Sequence, residues 1–243
     1  MVTVPAYFDA SQKEATKDAA KIAGLQVLRI ISEPTAAAMA AGIHENNGDQ
    51  MVVVFDFGGG TFDVSILDIS NGTINVESTQ GDMNLGGRDL DQILVDHCLK
   101  DFQQKHNVDL SEDKAAKTRL MQECERAKIN LSNAYSATVK LTTFYEDKDL
   151  EVEIKREDFE QLAMPVFEKL AKPLDDALSD AAMSVDEITE VLLVGGSSRI
   201  PWVRRWLEGY FQKPPNDMLN ADEGVAFGAT VMAALCCNED PVV

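Results

Sequence analysis

Two aspartates and a threonine surround a run of three glycines in this chain. The stretch from 51 to 69 reads MVVVFDFGGGTFDVSILDI, with Asp56 and Asp63 on either side of Gly58 to Gly60 and with Thr61 directly after the last glycine. Glycine N–H groups have no neighbouring Cβ, so a phosphate can approach the backbone closely. Carboxylates and hydroxyls are hard oxygen ligands that suit Mg²⁺. This stretch therefore predicts a turn that holds phosphate and magnesium.

The same glycines have a simpler interpretation as a flexible turn between two strands. Met51 to Phe55 is a Val-rich apolar run typical of a buried strand, and Val64 to Ile69 places polar residues between β-branched ones. No Gly-Lys-Ser/Thr sequence follows and no helix begins there, which excludes a Walker A loop and a dinucleotide fingerprint. On this stretch alone, phosphate binding and a plain turn both stay open.

Two further glycine loops follow predicted strands. Gly86–Gly87 precedes a predicted helix that ends near His106, and Gly195–Gly196 joins an apolar strand over 191–194 to a helix that begins near Pro201. A helix N-terminus favours anions because of its free N–H groups and its dipole. Three such loops in one chain favour a bound nucleotide over a plain turn.

The N-terminal elements alternate in a way that indicates an α/β layered fold. Strands are predicted over 2–4 and 27–31, and a third follows the hairpin over 73–79. Ser11 and Glu14 have the spacing of a capping box, which predicts a helix over 12–23. Pro34 suits the first turn of a second helix that reaches Gly42.

The C-terminal elements follow the same logic. A charged helix is predicted from Ser111 to about Ser132, followed by a hairpin over 137–154. Pro165 and Pro173 divide the helical stretch from 156 to 182 into pieces.

Two methionines, Met39 and Met83, are expected to fill the core.

The composition of the chain argues against some kinds of binding partner and cellular location. The 243 residues include 41 acidic and 22 basic side chains, a formal net charge of −19, which argues against nucleic acid and anionic membranes as partners. No apolar run is long enough to span a bilayer, and the first residues lack the features of a signal peptide. The four cysteines form no CxxC pair, so we expect reduced thiols in the cytoplasm, with a reducing organelle as the alternative.

Eight segments resemble the seventy-kilodalton heat-shock chaperone family of the DnaK type. They read VTVPAYF at 2–8, ATKDA at 15–19, IAGL at 22–25, EPTAAA at 33–38, FGGGTFDVSIL at 57–67, LGG at 85–87, ERAK at 125–128 and LLVGGSSRIP at 192–201. The resemblance covers essentially the whole chain. It implies an α/β, actin-like (ribonuclease H-like) ATPase fold that is incomplete, with the rear part of lobe I and all of lobe II.

The resemblance also implies a division into lobes. Residues 1–46 correspond to part of lobe I (subdomain IA), residues 47–85 and 164–243 to the base of lobe II (subdomain IIA), and residues 86–163 to its tip (subdomain IIB). The polar segment 44–50 marks the boundary between the lobes. The family's first phosphate loop and catalytic lysine have no counterpart in these residues. We therefore expect feeble ATP hydrolysis, or none, from this chain alone.

The site residues implied by the resemblance surround ATP or ADP with Mg²⁺. Four correspond to catalytic positions, and the three carboxylates among them hold the metal mostly through water: Glu33, Asp56, Asp63 and Thr61. The nucleotide-binding positions correspond to Gly58, Gly59, Gly60, Thr61, Gly87, Glu125, Lys128, Ser132, Gly195, Gly196, Ser197, Arg199 and Asp222. Partner coupling to a J-domain co-chaperone and to the interdomain linker is implied for Pro5, Lys13 and Arg29.

The implied function is that of an ATP-binding and ATP-hydrolysing part of a stress-response chaperone that assists protein folding. The alternative is a nucleotide- or co-chaperone-binding module without effective turnover. Expected partners are a J-domain co-chaperone and a nucleotide-exchange factor, whereas unfolded polypeptide would bind only through a domain outside these residues. A sugar kinase of the same superfold is less favoured, because the resemblance to the chaperones is long.

Simpler interpretations stay open for single residues. Asp63 could brace the hairpin, and Arg199 could be a surface charge at a helix start. Glu125 and Lys128 could form an ordinary surface pair, since residues three apart are neighbours on a helix. The sequence departs from the family pattern at Met83, Arg88, Ile129 and Ala221, which leaves the details of the lobe II loops open.

Overall fold

The N-terminal part alternates strands and helices around a short parallel pair. Strand β1 (Val2–Val4) pairs with β2 (Ile30–Ser32), and helix α1 (Ala10–Ile22) connects them. Helix α2 (Glu33–Ala40) follows β2 directly, with Pro34 in its first turn as predicted. The structure, a computed structural model, describes residues 1–43, 48–216 and 219–239. The predicted strand over 27–31 is shorter than expected, because only 30–32 pair with β1.

The glycine hairpin forms the middle of a four-stranded sheet. Strand β3 (Gln50–Phe57) pairs antiparallel with β4 (Phe62–Ser70), and β4 pairs antiparallel with β5 (Thr73–Asp82). The register brings Phe57 opposite Phe62, so the turn consists of residues 58–61. The predicted hairpin is therefore confirmed, and its glycines lie at the tip.

Two helices and a second hairpin follow the sheet. Helix α3 (Gly87–His106) begins at the second glycine loop and packs on α4 (Lys114–Asn133). Strands β6 (Ser136–Tyr145) and β7 (Lys148–Lys155) pair antiparallel and pack against these helices. The buried stripe of α4 consists of the four residues predicted for it and a fifth, Ala116; the predicted members are Leu120, Cys124, Ala127 and Leu131.

The chain then returns to the sheet. Helix α5 (Arg156–Phe167) and helix α6 (Ala171–Asp180) are separated by a 3₁₀ turn over 168–170, so the stretch is divided as predicted. The predicted positions of the breaks were wrong, because Pro165 lies inside α5 and Pro173 in the first turn of α6. Strand β8 (Glu190–Val194) lies parallel to β3 and gives the sheet order β5-β4-β3-β8. Helices α7 (Pro201–Phe211) and α8 (Gly224–Glu239) complete the described part of the chain.

Two hydrophobic cores lie on opposite faces of the sheet. Along β3, Val53 and Phe55 belong to the larger core with α3 to α7, whereas Val52 and Val54 belong to a smaller core with α2. This alternation follows from the two-residue period of a strand. The α/β layering predicted from the sequence is thus confirmed. The lobe boundary predicted at 46/47 lies outside the described residues, and the division into subdomains stays a prediction.

Two helices begin at aspartates where the sequence predicted serines. Asp9 caps α1, since its Oδ1 accepts the Gln12 N–H at 2.8 Å. Asp113 caps α4 and accepts two N–H groups of the first turn at 2.9 and 3.0 Å. The predicted cap Ser11 was wrong, and α4 begins at Lys114 rather than at Ser111. In both cases an aspartate near the serine accepts the N-terminal N–H groups and also suits the helix dipole.

Two smaller predictions have different outcomes. Met39 lies in the core, whereas Met83 is 66% exposed, so its assignment to the core was wrong. Met83 lies in the turn between β5 and α3. Within the described residues, no helix combines the length and the apolar character needed to cross a membrane.

Candidate functional site

The three glycine loops meet at the hairpin tip. The Gly58 carbonyl accepts the Gly87 N–H at 3.0 Å and the Ser197 hydroxyl at 2.9 Å. The Gly59 carbonyl accepts the Arg88 N–H at 2.9 Å. Loops that are distant in sequence are therefore bonded directly to one another, with the hairpin tip between the other two.

These contacts require glycine at two positions. A Cβ on Gly87 would lie 2.5 Å from Ser197 Oγ and 3.0 Å from Lys128 Nζ. Gly195 has a φ of +81°, and a Cβ there would lie 2.4 Å from the Phe57 carbonyl oxygen. Any other residue at these positions would separate the loops or strain the backbone.

The hairpin tip offers free hydrogen-bond donors. Gly59 and Gly60 are exposed, and no hydrogen bond within the described residues uses their N–H groups. No heavy atom lies within 4 Å of a Cβ built on either residue. The Gly60 nitrogen itself lies close to Gly86, since a Cβ on Gly86 would come within 2.5 Å of it. Unpaired N–H groups at an exposed turn can donate to an anion such as a phosphate.

A cavity of about 300 Å³ opens beside this tip. Its walls come from the tip, from the last turns of α4, from the loop after β8 and from the segment before α8. The residues that line it are Gly59, Glu125, Lys128, Ile129, Ser132, Asn133, Gly196, Ser197, Arg199 and Asp222. Eight of these are nucleotide-binding positions implied by the sequence, so residues from four separate segments converge on one space.

The other implied nucleotide positions lie next to this cavity rather than in its wall. Gly58 and Gly87 join the loops through the hydrogen bonds described above. Gly60 and Thr61 are exposed at the hairpin tip. Gly195 donates its N–H to the Ala221 carbonyl at 2.9 Å, which ties the loop after β8 to the segment before α8.

Both cations of the cavity are paired with carboxylates. Lys128 Nζ lies 2.8 Å from Asp91 Oδ1. Arg199 lies 2.8 Å from Asp222 Oδ2, with both side chains about half exposed, and also donates to Asn220. The alternative in which Lys128 simply pairs with Glu125 on the helix surface was wrong, because the packing of α3 on α4 provides Asp91 instead.

The catalytic carboxylates implied by the sequence are crowded together. Asp56 and Asp63 are direct partners across the β3–β4 ladder. Burial, followed by the charges of Glu33 and Asp63, raises the pKa of Asp56 to about 7. Burial raises the pKa of Asp63 to about 6, although the Thr61 hydroxyl, which donates to it, opposes this. Burial and then Asp63 also raise the pKa of Glu33.

Each aspartate lies against a glycine on its outer side. A Cβ on Gly81 would lie 2.7 Å from Asp63 Oδ1, and a Cβ on Gly195 would lie 2.7 Å from Asp56 Oδ1. Strand β5 and the loop after β8 thus leave room for the carboxylates only because they have no side chain at these points.

The three carboxylates also share a narrow cavity of about 10 Å³, roughly the space that one water molecule needs. No group of three or more histidine, cysteine or acidic side chains in the described parts of the chain could hold a metal ion directly. The donor set nevertheless fits Mg²⁺ chemically, since it consists of hard oxygen atoms whose raised pKa values a cation would lower.

The three residues implied for partner coupling lie in different segments of the N-terminal part. Pro5 follows β1 and lines the narrow carboxylate cavity. Lys13 is half-buried in the first turn of α1, and Arg29 is exposed just before β2, where its carbonyl accepts the Val2 N–H. Neither Lys13 nor Arg29 lines the carboxylate cavity or the cavity beside the tip.

Three residues in or next to the 300 Å³ cavity were not identified from the sequence. Asp91 is buried on α3, and it occupies a position of the apolar stripe, which is a detectable signal of a buried partner. Asn133 lines the cavity and Asn220 accepts from Arg199. Neither asparagine carries a local signal, because both functions depend on how distant segments pack.

Comparison with known proteins gives a consistent result. The family model described as Hsp70 protein matches residues 1–242. A chaperone protein DnaK from Deinococcus deserti and another from Deinococcus radiodurans are each 48% identical over 241 residues, which cover 97% of this chain and 38% of each relative. A heat shock 70 kDa protein from Neurospora crassa is 47% identical over 237 residues, covering 97% of this chain and 37% of the relative. The chain spans less than two fifths of the length of these curated relatives.

Proposed function

This chain belongs to the Hsp70 family, and we propose on that basis that it forms the part of a DnaK-type ATPase domain that binds ATP or ADP. Family membership confirms the α/β, actin-like ATPase fold, of which the chain covers a part. One observation carries the proposal of a nucleotide site: eight implied binding residues from four segments line one cavity of about 300 Å³. A space of this size suits a small-molecule ligand.

The phosphates belong at the hairpin tip in this proposal. The free N–H groups of Gly59 and Gly60 provide donors at an exposed turn. Ser197 and Gly87 hold the tip against the cavity through Gly58. A nucleotide in the cavity would then have its phosphates next to the carboxylates of the hairpin.

Glu33, Asp56 and Asp63 would hold Mg²⁺ mostly through water. When bound, the ion supplies positive charge that offsets the negative charge of a phosphate group. The supporting observation is that all three carboxylates line one narrow cavity and have raised pKa values. Thr61 would orient Asp63 through its hydroxyl.

We propose that this chain alone hydrolyses ATP only feebly. The intact chaperone would hydrolyse ATP to ADP and phosphate. The cavity contains two cations, and Asp91 and Asp222 already neutralise them. Little positive charge is left for the transition state, whose stabilisation is the main task of a phosphoryl-transfer site. This observation favours nucleotide binding over effective catalysis.

The partners follow from family membership and remain proposals. A J-domain co-chaperone would couple through Pro5, Lys13 and Arg29, and a nucleotide-exchange factor would act on lobe II. Unfolded polypeptide would be the client of the whole chaperone. The free thiols of Cys98 and Cys124 are buried, which supports a reducing compartment such as the cytoplasm.

Isothermal titration calorimetry with ADP and Mg²⁺ tests the proposal, with phosphate release from ATP measured in parallel. We expect saturable binding at one site and turnover far below that of a complete Hsp70 ATPase domain. The absence of saturable binding would reject the nucleotide site. Turnover equal to that of the complete domain would reject the proposal of feeble catalysis.

A further inference from the structure

A buried ion pair lies directly behind one wall of the nucleotide cavity. Lys128 Nζ lies 2.8 Å from Asp91 Oδ1, and the side chains are only 12% and 5% exposed. Lys128 belongs to α4 and lines the cavity, whereas Asp91 belongs to α3 and does not. The pair therefore joins the cavity wall to the helix behind it.

The same ammonium group is bonded to a glycine loop. Lys128 Nζ donates to the Gly87 carbonyl at 3.0 Å, and the Gly87 N–H donates to the Gly58 carbonyl at 3.0 Å. A continuous set of contacts thus leads from Asp91 through Lys128 and Gly87 to the hairpin tip. A displacement of Lys128 would affect both the cavity wall and the loop that supports the tip.

Lys128 occupies a place that is unfavourable for a cation. Gly87 is the first residue of α3, and the N-terminal end of a helix carries positive partial charge. The site is also largely shielded from water, which makes an unpaired ammonium costly. A carboxylate at 2.8 Å compensates for both effects, so Asp91 explains why the Lys128 side chain stays folded into this corner.

Glu125 is a poorer counterion for Lys128 than Asp91 is, and Arg88 carries the same charge as Lys128. Glu125 and Arg88 also act electrostatically on Asp91, but both are exposed. Glu125 lies on the same helix as Lys128, yet no ion pair between them occurs within the described residues. Asp91 is thus the buried carboxylate in contact with this lysine.

We propose that Asp91 is a positioning residue of the nucleotide site: it does not touch the nucleotide, but it holds the Lys128 ammonium in the cavity wall against Gly87. The inference rests on the proposed function, since it assigns Asp91 a role in nucleotide binding. It differs from a purely structural role in one respect. The effect of Asp91 on nucleotide affinity should pass through Lys128 alone.

A double-mutant cycle on the full 243-residue chain tests this role. ADP affinity is measured by calorimetry for the unsubstituted chain, Asp91→Asn, Lys128→Met and the double variant. We expect Asp91→Asn to weaken ADP binding by about tenfold or more, in line with the loss of one partner of a buried ion pair. In the Lys128→Met background, the same substitution should change the affinity by less than about twofold, since coupled residues are not additive.

The matched control is Asp96→Asn on the same helix, where the carboxylate is exposed and accepts only from Gln92. It should leave ADP affinity unchanged. If Asp91→Asn does not fold, the comparison of Lys128→Met with the double variant still decides the question. A further loss of affinity there would contradict a role through Lys128.

The outcomes separate this inference from the proposed function. If the unsubstituted chain binds no ADP, the proposed function fails and this inference fails with it. If the unsubstituted chain binds ADP and folded Asp91→Asn binds it equally well, only the role of Asp91 is overturned. A tenfold loss that disappears in the Lys128→Met background supports the positioning role.

Discussion

Asp56 and Asp63 are direct partners across the β3–β4 ladder, so two carboxylates of like charge lie side by side in the middle of a sheet. Like charges directly opposite each other destabilise a sheet. Burial adds to the effect, since it disfavours the charged form of each group. The hairpin therefore keeps an arrangement that costs stability at the place where the proposed function needs oxygen ligands.

The first prediction concerns pH. The pKa values of Asp56 and Asp63 are raised from the ordinary 3.8 to about 7 and about 6, so between about pH 4 and 7 the folded state binds more protons than the unfolded state. The free energy of unfolding should therefore fall as pH rises through this window. In metal-free buffer we expect a decrease of roughly 3–4 kcal/mol between pH 5 and 8, measured by denaturant titration.

The control for this prediction is the double variant Asp56→Asn, Asp63→Asn. Asparagine does not titrate, so the dependence of unfolding free energy on pH should become flatter in this window. Stability that increases from pH 5 to 8 in the unsubstituted chain would contradict the account, as would an equal slope in the double variant.

The second prediction concerns magnesium. A cation near the hairpin should relieve the repulsion among Glu33, Asp56 and Asp63, so Mg²⁺ should raise the Tm of the ADP-bound chain by several degrees at pH 8. Sodium chloride at matched ionic strength serves as the control for general screening. The increase should be lost in Asp56→Asn, Asp63→Asn. An equal increase with sodium would argue against a specific cation site.

The third prediction concerns the contact between loops. Gly87→Ala should weaken ADP binding by about tenfold or more, because the added Cβ would meet Ser197 Oγ at 2.5 Å and move the loop away from the cavity. Gly209→Ala is the matched control, since no atom lies within 4 Å of a Cβ at that exposed position. It should keep the affinity and raise helix stability by about 0.5–1 kcal/mol. Equal affinities for both variants would refute the role of Gly87.

The fourth prediction concerns the helix caps. Asp9→Ala and Asp113→Ala should each lower the free energy of unfolding by about 1 kcal/mol. Ser11→Ala and Ser111→Ala should change it by less than about 0.5 kcal/mol, the usual range for surface substitutions away from special contacts. Denaturant titration of the four variants distinguishes the two assignments. A larger loss for the serine variants would restore the caps predicted from sequence.

Local patterns allowed much of the fold to be predicted. The hairpin is encoded by two apolar runs and the glycines between them. Gly87 and Pro201 each follow a predicted strand and loop, and each is the first residue of a helix. The choice of cap at α1 was less well determined, because Asp9 and Ser11 are both good caps two residues apart. Deciding between them requires knowing at which residue the backbone changes from an extended to a helical conformation.

The site was predictable only where residue type and motif carried the information. Lys128 was identified, but its partner Asp91 was not, because their contact depends on the packing of α3 against α4. The convergence of Gly59, Arg199 and Asp222 on one cavity likewise depends on long-range contacts. A single sequence contains no direct signal of such distances.

The position of bound nucleotide tests the central claim most directly. In ¹H–¹⁵N spectra of the isotope-labelled chain, addition of ADP with Mg²⁺ should shift the amide signals of Gly59, Lys128 and Ser197, which border the cavity. The signal of Glu146, in the turn between β6 and β7, should stay in place. Saturable shifts confined to residues outside the cavity, or no shifts at all, would contradict the account.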